Sequence, residues 1–233
     1  MTRSSTTTIA AVRALAALCV GCAVLAAAAC GSSSPTTTTN TAATGASQGC
    51  ANVATPPART PHGLKPPAHL LAAARRYELR FETSCGTFVV LLQPRVSPHA
   101  AASLFELARS GYFDDTVFHR IVPGFVIQGG DPTQTGEGGP GYSTVDIPKP
   151  GTRYVAGTVA MAKAGSDPRG TAGSQFFVMT AAAPTLPADY AVVGRVVSGM
   201  AVVRLIGTFG DPSDPLGTPT RTVVVRRVTA VTR

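Results

Sequence analysis

The chain has 233 residues, enough for one domain with extensions or for two small domains. Its 20 Lys+Arg against 12 Asp+Glu give a net charge of +8, two of the positives being Arg3 and Arg13 near the start. The other arginines are scattered or paired and not interleaved with aromatics, which reads as a solvated basic surface and gives no expectation of a nucleic-acid partner.

Arg3 and Arg13 precede an apolar run over 14–29 that is short for a membrane span and ends in small residues before Cys30. A positive start, an apolar run and small residues at its end define an export signal. The pattern resembles a bacterial lipoprotein signal with Cys30 as the lipidated residue. It implies an extracytoplasmic protein held to the bacterial cell membrane by an N-terminal lipid anchor. Residues 1–30 are thus expected to be signal and 31–76 a tether. Ser, Thr, Ala, Asn, Gly and Pro dominate 32–47 and cannot bury a core, so the tether is expected to be disordered there. A Pro-rich spacer over 55–67 is expected to be semi-extended, and 68–76 to form a short helix. Cys19, Cys22 and Cys30 fall in the signal, leaving Cys50 and Cys85. Outside the cytoplasm two cysteines are more often paired than free, so a Cys50–Cys85 disulfide is expected, with two free thiols as the alternative.

The folded domain is expected over 77–233. Residues 77–83 alternate apolar and polar, 84–86 form a turn and 87–92 are a second strand, which together predict a hairpin. Ser97-Pro98 opens a helix, Ser as cap and Pro in the first turn, with Ala101, Leu104, Phe105 and Ala108 as its apolar face and Gly111 as its end. Further strands are predicted at 117–121, 125–129, 157–162, 175–180, 191–197 and 222–231, and a second helix at 200–206. About eight strands and two helices without regular strand–helix alternation point to a closed antiparallel barrel.

The usual chemical motifs are missing. There is no Walker-type phosphate loop. His62, His69, His99 and His119 are dispersed and lack carboxylate or Cys neighbours at metal-ligand spacing, so no metal and no cofactor is expected. What stands out is Phe118-His119-Arg120-Ile121-Val122-Pro123-Gly124-Phe125-Val126-Ile127-Gln128-Gly129-Gly130-Asp131. It sets a lone Arg beside two Phe and a Gln, on two strands joined by a Pro-Gly turn. Strand alternation places Phe118 and Arg120 on one face, and Phe125 on the face opposite Val126 and Gln128. Gly173-Ser174-Gln175-Phe176-Phe177 adds a second Gln and two adjacent aromatics.

Together these segments resemble the cyclophilin family of peptidyl-prolyl cis/trans isomerases over residues 79–231, and the loop at 135–142 looks most like the bacterial branch. The resemblance implies a mainly β fold, a closed eight-stranded antiparallel barrel capped by two α-helices. It also implies a monomer that accelerates rotation of X-Pro bonds in proline-containing polypeptides, here exported proteins. Carried over by position, Arg120 is the catalytic arginine, Gln128 orients it, and Phe125, Val126, Phe177 and Leu186 form the proline pocket. Ala162, Lys163, Ala164 and Gln175 line the groove for the peptide backbone, while His119 and Tyr190 stand at its edge. Thr185 replaces a Trp common on the pocket rim, which implies weak inhibition by cyclosporin. Lys163 replaces a common Asn, and the loop over 165–171 is longer than in compact members. A non-catalytic peptide-binding or chaperone module on the same fold is the competing reading.

Overall fold

A computed structural model describes residues 49–61 and 63–233. The expected signal, its Cys30 and the tether up to residue 48 lie outside the described residues.

Alternation over 77–92 produces β1 (Tyr77–Thr83) and β2 (Gly86–Leu92), an antiparallel hairpin in which Phe81 faces Phe88. Their rings stack with centroids 4.7 Å apart, while Arg80 points to solvent. α1 (Pro98–Arg109) follows. Its start differs from expectation. Ser97 makes no side-chain cap bond. The carboxylate of Asp146, from a distant loop, accepts instead from the Ala100 N–H at 2.7 Å and from His99 Nδ1 at 2.9 Å.

β3 (Thr116–Val117), β4 (Arg120–Val122) and β5 (Val126–Gly129) come next, then β6 (Thr144–Val145) and β7 (Thr158–Met161). β8 (Thr171–Ala172), β9 (Phe176–Met179) and β10 (Val192–Ser198) precede α2 (Met200–Gly207), and β11 (Val224–Thr232) closes the order. β3-β11-β1-β2-β10-β7-β9-β5-β4 form one nine-stranded antiparallel sheet, and β6 pairs with β8 separately.

The fold is mainly β, a curled sheet with two helices, and its end strands β3 and β4 are consecutive in the chain, parted by Phe118 and His119. The expected strand over 117–121 thus breaks in two. The Phe118 N–H bonds to Val223 O at 3.1 Å and the Ile121 N–H to Gly217 O at 2.8 Å, so the backbone on either side of His119 follows different partners. The break also undoes the expected shared face of Phe118 and Arg120. Phe118 enters the core against Phe88 and Phe176, and Arg120 faces outward.

Two apolar clusters lie on opposite faces of β5, β7 and β9. The larger fills the curl with Phe81, Phe88, Phe113, Phe118, Ile127, Phe176 and Val178. The smaller holds Val126, Tyr154, Ala160, Phe177 and Met179 on the outer face, with Phe125, Leu186 and Tyr190 packed on it. The adjacent pair Phe176 and Phe177 thus divides between them, as period-2 alternation requires. α1 and α2 pack on the larger cluster through Leu104, Phe105, Val203 and Ile206. Gly199 precedes α2 at φ 78°, and a Cβ there would lie 2.3 Å from Thr87 O, so no other residue fits without displacing β2.

Residues 49–76 depart from the expected tether. Those of them that the structure describes form a strap against the domain, with Leu64 and Leu71 packed on the core. The Ala51 N–H bonds to Ser84 O at 2.8 Å and the Arg59 N–H to Pro132 O at 2.8 Å. Cys50 and Cys85 form a disulfide. No helix forms over 68–76. A single turn forms instead, closed by the Arg75 N–H on Ala72 O at 3.0 Å, after which Arg76 and Arg233 exchange backbone hydrogen bonds at 3.0 and 2.8 Å and lead the chain into β1.

Candidate active site

The turn after β4 decides the site. Phe125 sits in it, its N–H bonded to Val122 O at 3.0 Å, with Gly124 at φ 68°. Because Phe125 precedes β5, strand alternation does not bind it, and it joins Val126 and Gln128 on the outer face. This corrects the expectation that it would oppose them. Val126, in β5, opposes Met179, and Gln128 opposes Phe177 in β9, which carries the aromatic pair to the same surface.

Arg120, Phe125, Val126, Gln128, Ala162, Lys163, Phe177, Leu186 and Tyr190 line one cavity of about 300 Å³. Its floor is apolar. Phe177 is 5% exposed and Val126 2%, and the Tyr190 ring meets Phe177 edge-on at 5.4 Å. Tyr154 lies beneath and donates its hydroxyl hydrogen to Tyr190 O at 2.9 Å. The Lys163 ammonium stands 5.7 Å from the Tyr190 ring centre, close enough for cation–π attraction. It also donates to the carbonyls of Ala164 at 3.1 Å and Asp167 at 3.0 Å, which ties it to its own loop.

Arg120 is held from two sides. Its Nε donates to Leu216 O at 3.0 Å, and its Nη1 points at Gln128 Oε1 at 3.4 Å, a long contact. Gln128 Nε2 donates to Gln175 Oε1 at 3.1 Å. Gln175 Nε2 in turn donates to the carbonyls of Gly136 at 2.8 Å and Gly138 at 2.9 Å. Both glutamines are thereby orientated, and an acceptor oxygen of Gln128 faces the guanidinium.

Gln175 and Ala164 belong to an adjoining cavity of about 470 Å³, which shares Gln128, Ala162 and Lys163 with the first. Gly136, Glu137, Gly138, Asp167, Gly173 and Ser174 also line it; the sequence marked them only as parts of a motif or a loop and gave none of them a place in the site. Its wall is the loop over 131–138, built on one buried carboxylate. Asp131 accepts from Thr133 N–H and Oγ1 at 2.8 and 2.7 Å, from Gly136 N–H at 2.8 Å and from Gly138 N–H at 3.1 Å. Burial alone pushes this carboxyl up, but those donors outweigh it and hold it below its ordinary value. A Cβ at Gly138 would fall 2.0 Å from Asp131 Oδ1, so the loop closes this tightly only around glycine. The signal that marks the loop in the sequence is Asp131 followed at even spacing by Thr133 and Thr135.

His119 is not brought to the cavity. It sits behind Arg120, in a separate hollow with Thr55, Gln134 and Thr222, and both ring nitrogens are buried without a hydrogen-bond partner. Burial lowers its pKa and the Arg120 charge adds a little to that, against opposing pulls from Asp131 and from the nearby Gln175 side chain, which lies outside strict hydrogen-bond geometry. Leu216, whose carbonyl fixes Arg120, escaped the sequence reading as well. The Asp214 carboxylate orders its loop by accepting from the Leu216 and Thr218 N–H groups at 2.8 and 3.0 Å. Thr185 is exposed on the rim near Leu186. The lipidation assigned to Cys30 falls outside the described residues.

Comparison with known proteins bears on this arrangement. Residues 78–230 match the family model described as "Cyclophilin type peptidyl-prolyl cis-trans isomerase/CLD". The chain is 39% identical over 158 residues to peptidyl-prolyl cis-trans isomerase-like 1 of Neurospora crassa, covering 66% of this chain and 94% of that one. It is 42% identical over 135 residues to peptidyl-prolyl cis-trans isomerase CYP18-2 of Arabidopsis thaliana, covering 56% and 80%. Among solved structures it resembles a Cryptosporidium parvum cyclophilin-type isomerase crystallised in the presence of the dipeptide Ala-Pro. The TM-score is 0.60 and the identity 31%, over 67% of this chain and 99% of that one. These relatives overturn the expected location. They are fungal and plant isomerases and not bacterial lipoproteins, so the extracytoplasmic, lipid-anchored assignment does not stand. No helix among the described residues is long and apolar enough to cross a membrane.

Proposed function

The chain belongs to the cyclophilin-type peptidyl-prolyl cis-trans isomerase family, and from that premise we propose how its cavity performs the family's reaction, the isomerisation of X-Pro bonds. Rotation about a peptide bond costs about 18–20 kcal/mol because resonance is lost. X-Pro bonds have little preference between their two planar states, yet cross in tens to hundreds of seconds. A catalyst therefore needs neither nucleophile nor proton relay. It must favour the twisted amide over both planar forms.

The observation that carries the reading is a fixed guanidinium at the side of an apolar cup. Phe125, Val126, Phe177 and Leu186 hold the proline ring. As the amide twists, its nitrogen becomes pyramidal and gains a lone pair. Arg120, charged at every relevant pH and held by Leu216 and Gln128, donates to that nitrogen or to the neighbouring carbonyl, more strongly in the twisted state. Gln128 and Gln175 orientate the arginine, and the backbone about Ala162 to Ala164 takes the peptide in the groove. The Ala-Pro dipeptide used with the Cryptosporidium relative supports a proline-containing peptide as the ligand here.

A protease-coupled assay on a short X-Pro peptide tests the roles. Arg120→Ala is expected to lower kcat/KM by about 10²-fold or more, the usual cost of removing one preorganised donor. Arg120→Lys should also fall steeply, because an ammonium lacks the guanidinium fork. Both should keep the wild-type urea midpoint. Near-normal turnover by Arg120→Ala would remove Arg120 from the mechanism.

A further inference from the structure

We propose that the strap over residues 50–59 is a positioning segment for Arg120, acting through the loop over 131–138. The proposal rests on the role given to Arg120 above.

The strap is pinned at both ends. At the first, Cys50 is bonded to Cys85, its carbonyl accepts from Arg221 Nη2 at 2.7 Å, and the Ala51 N–H bonds to Ser84 O at 2.8 Å. At the other, the Arg59 guanidinium donates to the carbonyls of Tyr112, at 3.1 Å, and Asp114. The Thr55 and Thr222 hydroxyls meet between them at 2.8 Å. From this fixed line two bonds reach the loop. Gln134 Nε2 donates to Pro56 O at 2.8 Å, and the Arg59 N–H donates to Pro132 O at 2.8 Å.

Those bonds fall where the loop needs external support. Gln134 has φ 64°, a left-handed conformation that costs a side-chain-bearing residue free energy and persists only when its surroundings impose it. Pro132 and Gln134 flank Thr133, the main donor to Asp131. Beyond them, the Gly136 and Gly138 carbonyls take both amide hydrogens of Gln175, and so decide that its oxygen faces Gln128. Gln128 then offers its oxygen, not its NH2, to Arg120. If the loop slackens, both amides are free to flip, and an NH2 group turned toward a guanidinium repels it. The 3.4 Å contact between Gln128 and Arg120 is already long and has the least tolerance for a shift. No strap residue lines the proline cavity itself.

The test uses the full chain with Arg59→Ala, Arg59→Lys and Gln134→Asn. Asn accepts the left-handed conformation but is too short to reach Pro56, so the loop keeps its backbone and loses the tie. For Arg59→Ala and Gln134→Asn, kcat is expected to fall about threefold to tenfold while KM stays within about twofold, because the apolar cup is untouched. The side-chain amide resonances of Gln128 and Gln175 should shift in 15N spectra. Arg59→Lys should recover most of the lost kcat by donating to one of the two carbonyls. Wild-type kcat and unmoved glutamine resonances in both Arg59→Ala and Gln134→Asn overturn the proposal, whatever the urea midpoint does. A slow Arg120→Ala beside a normal Arg59→Ala removes the strap alone. A normal Arg120→Ala removes the reading beneath it.

Discussion

His119 and Arg120 are consecutive, yet they face different hollows. Arg120 lines the proline cavity, while His119 is enclosed and burial takes its pKa below the ordinary 6.5. A histidine that binds its proton less readily when folded makes the unfolded state the better proton acceptor. Stability is therefore fully present above about pH 6.5 and is lost as pH falls from there through the folded value. Urea midpoints measured from pH 7.5 to 5 should drop more for the wild type than for His119→Gln, and parallel curves would assign the loss to other groups. Asp131 adds a second, more acidic window of the same sign, since its lowered carboxyl stabilises only while ionised. Most of the site was legible residue by residue, because the arginine, the apolar wall and the two glutamines sit in long contiguous segments. What the residues did not reveal was carried by backbone groups. The carbonyls of Leu216, Gly136 and Gly138 have no side-chain identity to read, and His119 was misplaced because its neighbour in sequence is not its neighbour in the pocket.

At the scale of elements, strands with several alternating residues were legible, and the shortest ones were not. β1 and β2 run seven residues each and alternate in burial for most of their length, while β10 and β11, of seven and nine residues, were found from their apolar β-branched content although their burial does not alternate. β6 and β8 are two residues each, too short for any periodicity, and the split of β3 from β4 depends on Val223 and Gly217, a hundred residues away. α1 was legible in its apolar face but not in its cap, since Asp146 comes from another part of the chain. Asp146→Ala should cost about 1–2 kcal/mol in urea unfolding, a full cap's worth, and more than Ser97→Ala. An equal or greater loss in Ser97→Ala would return the cap to that residue.

For the whole molecule, composition misled most over 49–76, where a stretch rich in Ala and Pro packs down through a disulfide, a few leucines and hydrogen bonds to its backbone. The disulfide closes a 35-residue separation between strap and hairpin. Cys50→Ser with Cys85→Ser should lower stability by about 2–4 kcal/mol, read as the urea midpoint under non-reducing conditions. No shift would mean the strap stays seated without the bond. The join between β3 and β4, where the sheet's two ends meet in one run of chain, has a consequence of its own. A protein that handles loosely folded chains risks having them anneal to its own sheet margins, the route by which strands recruit one another into aggregates. Here one margin is a two-residue strand, and the other already gives its Ile121 N–H to Gly217. A visiting chain thus finds a cup for a single ring and very little free margin to extend, so it can leave as readily as it came.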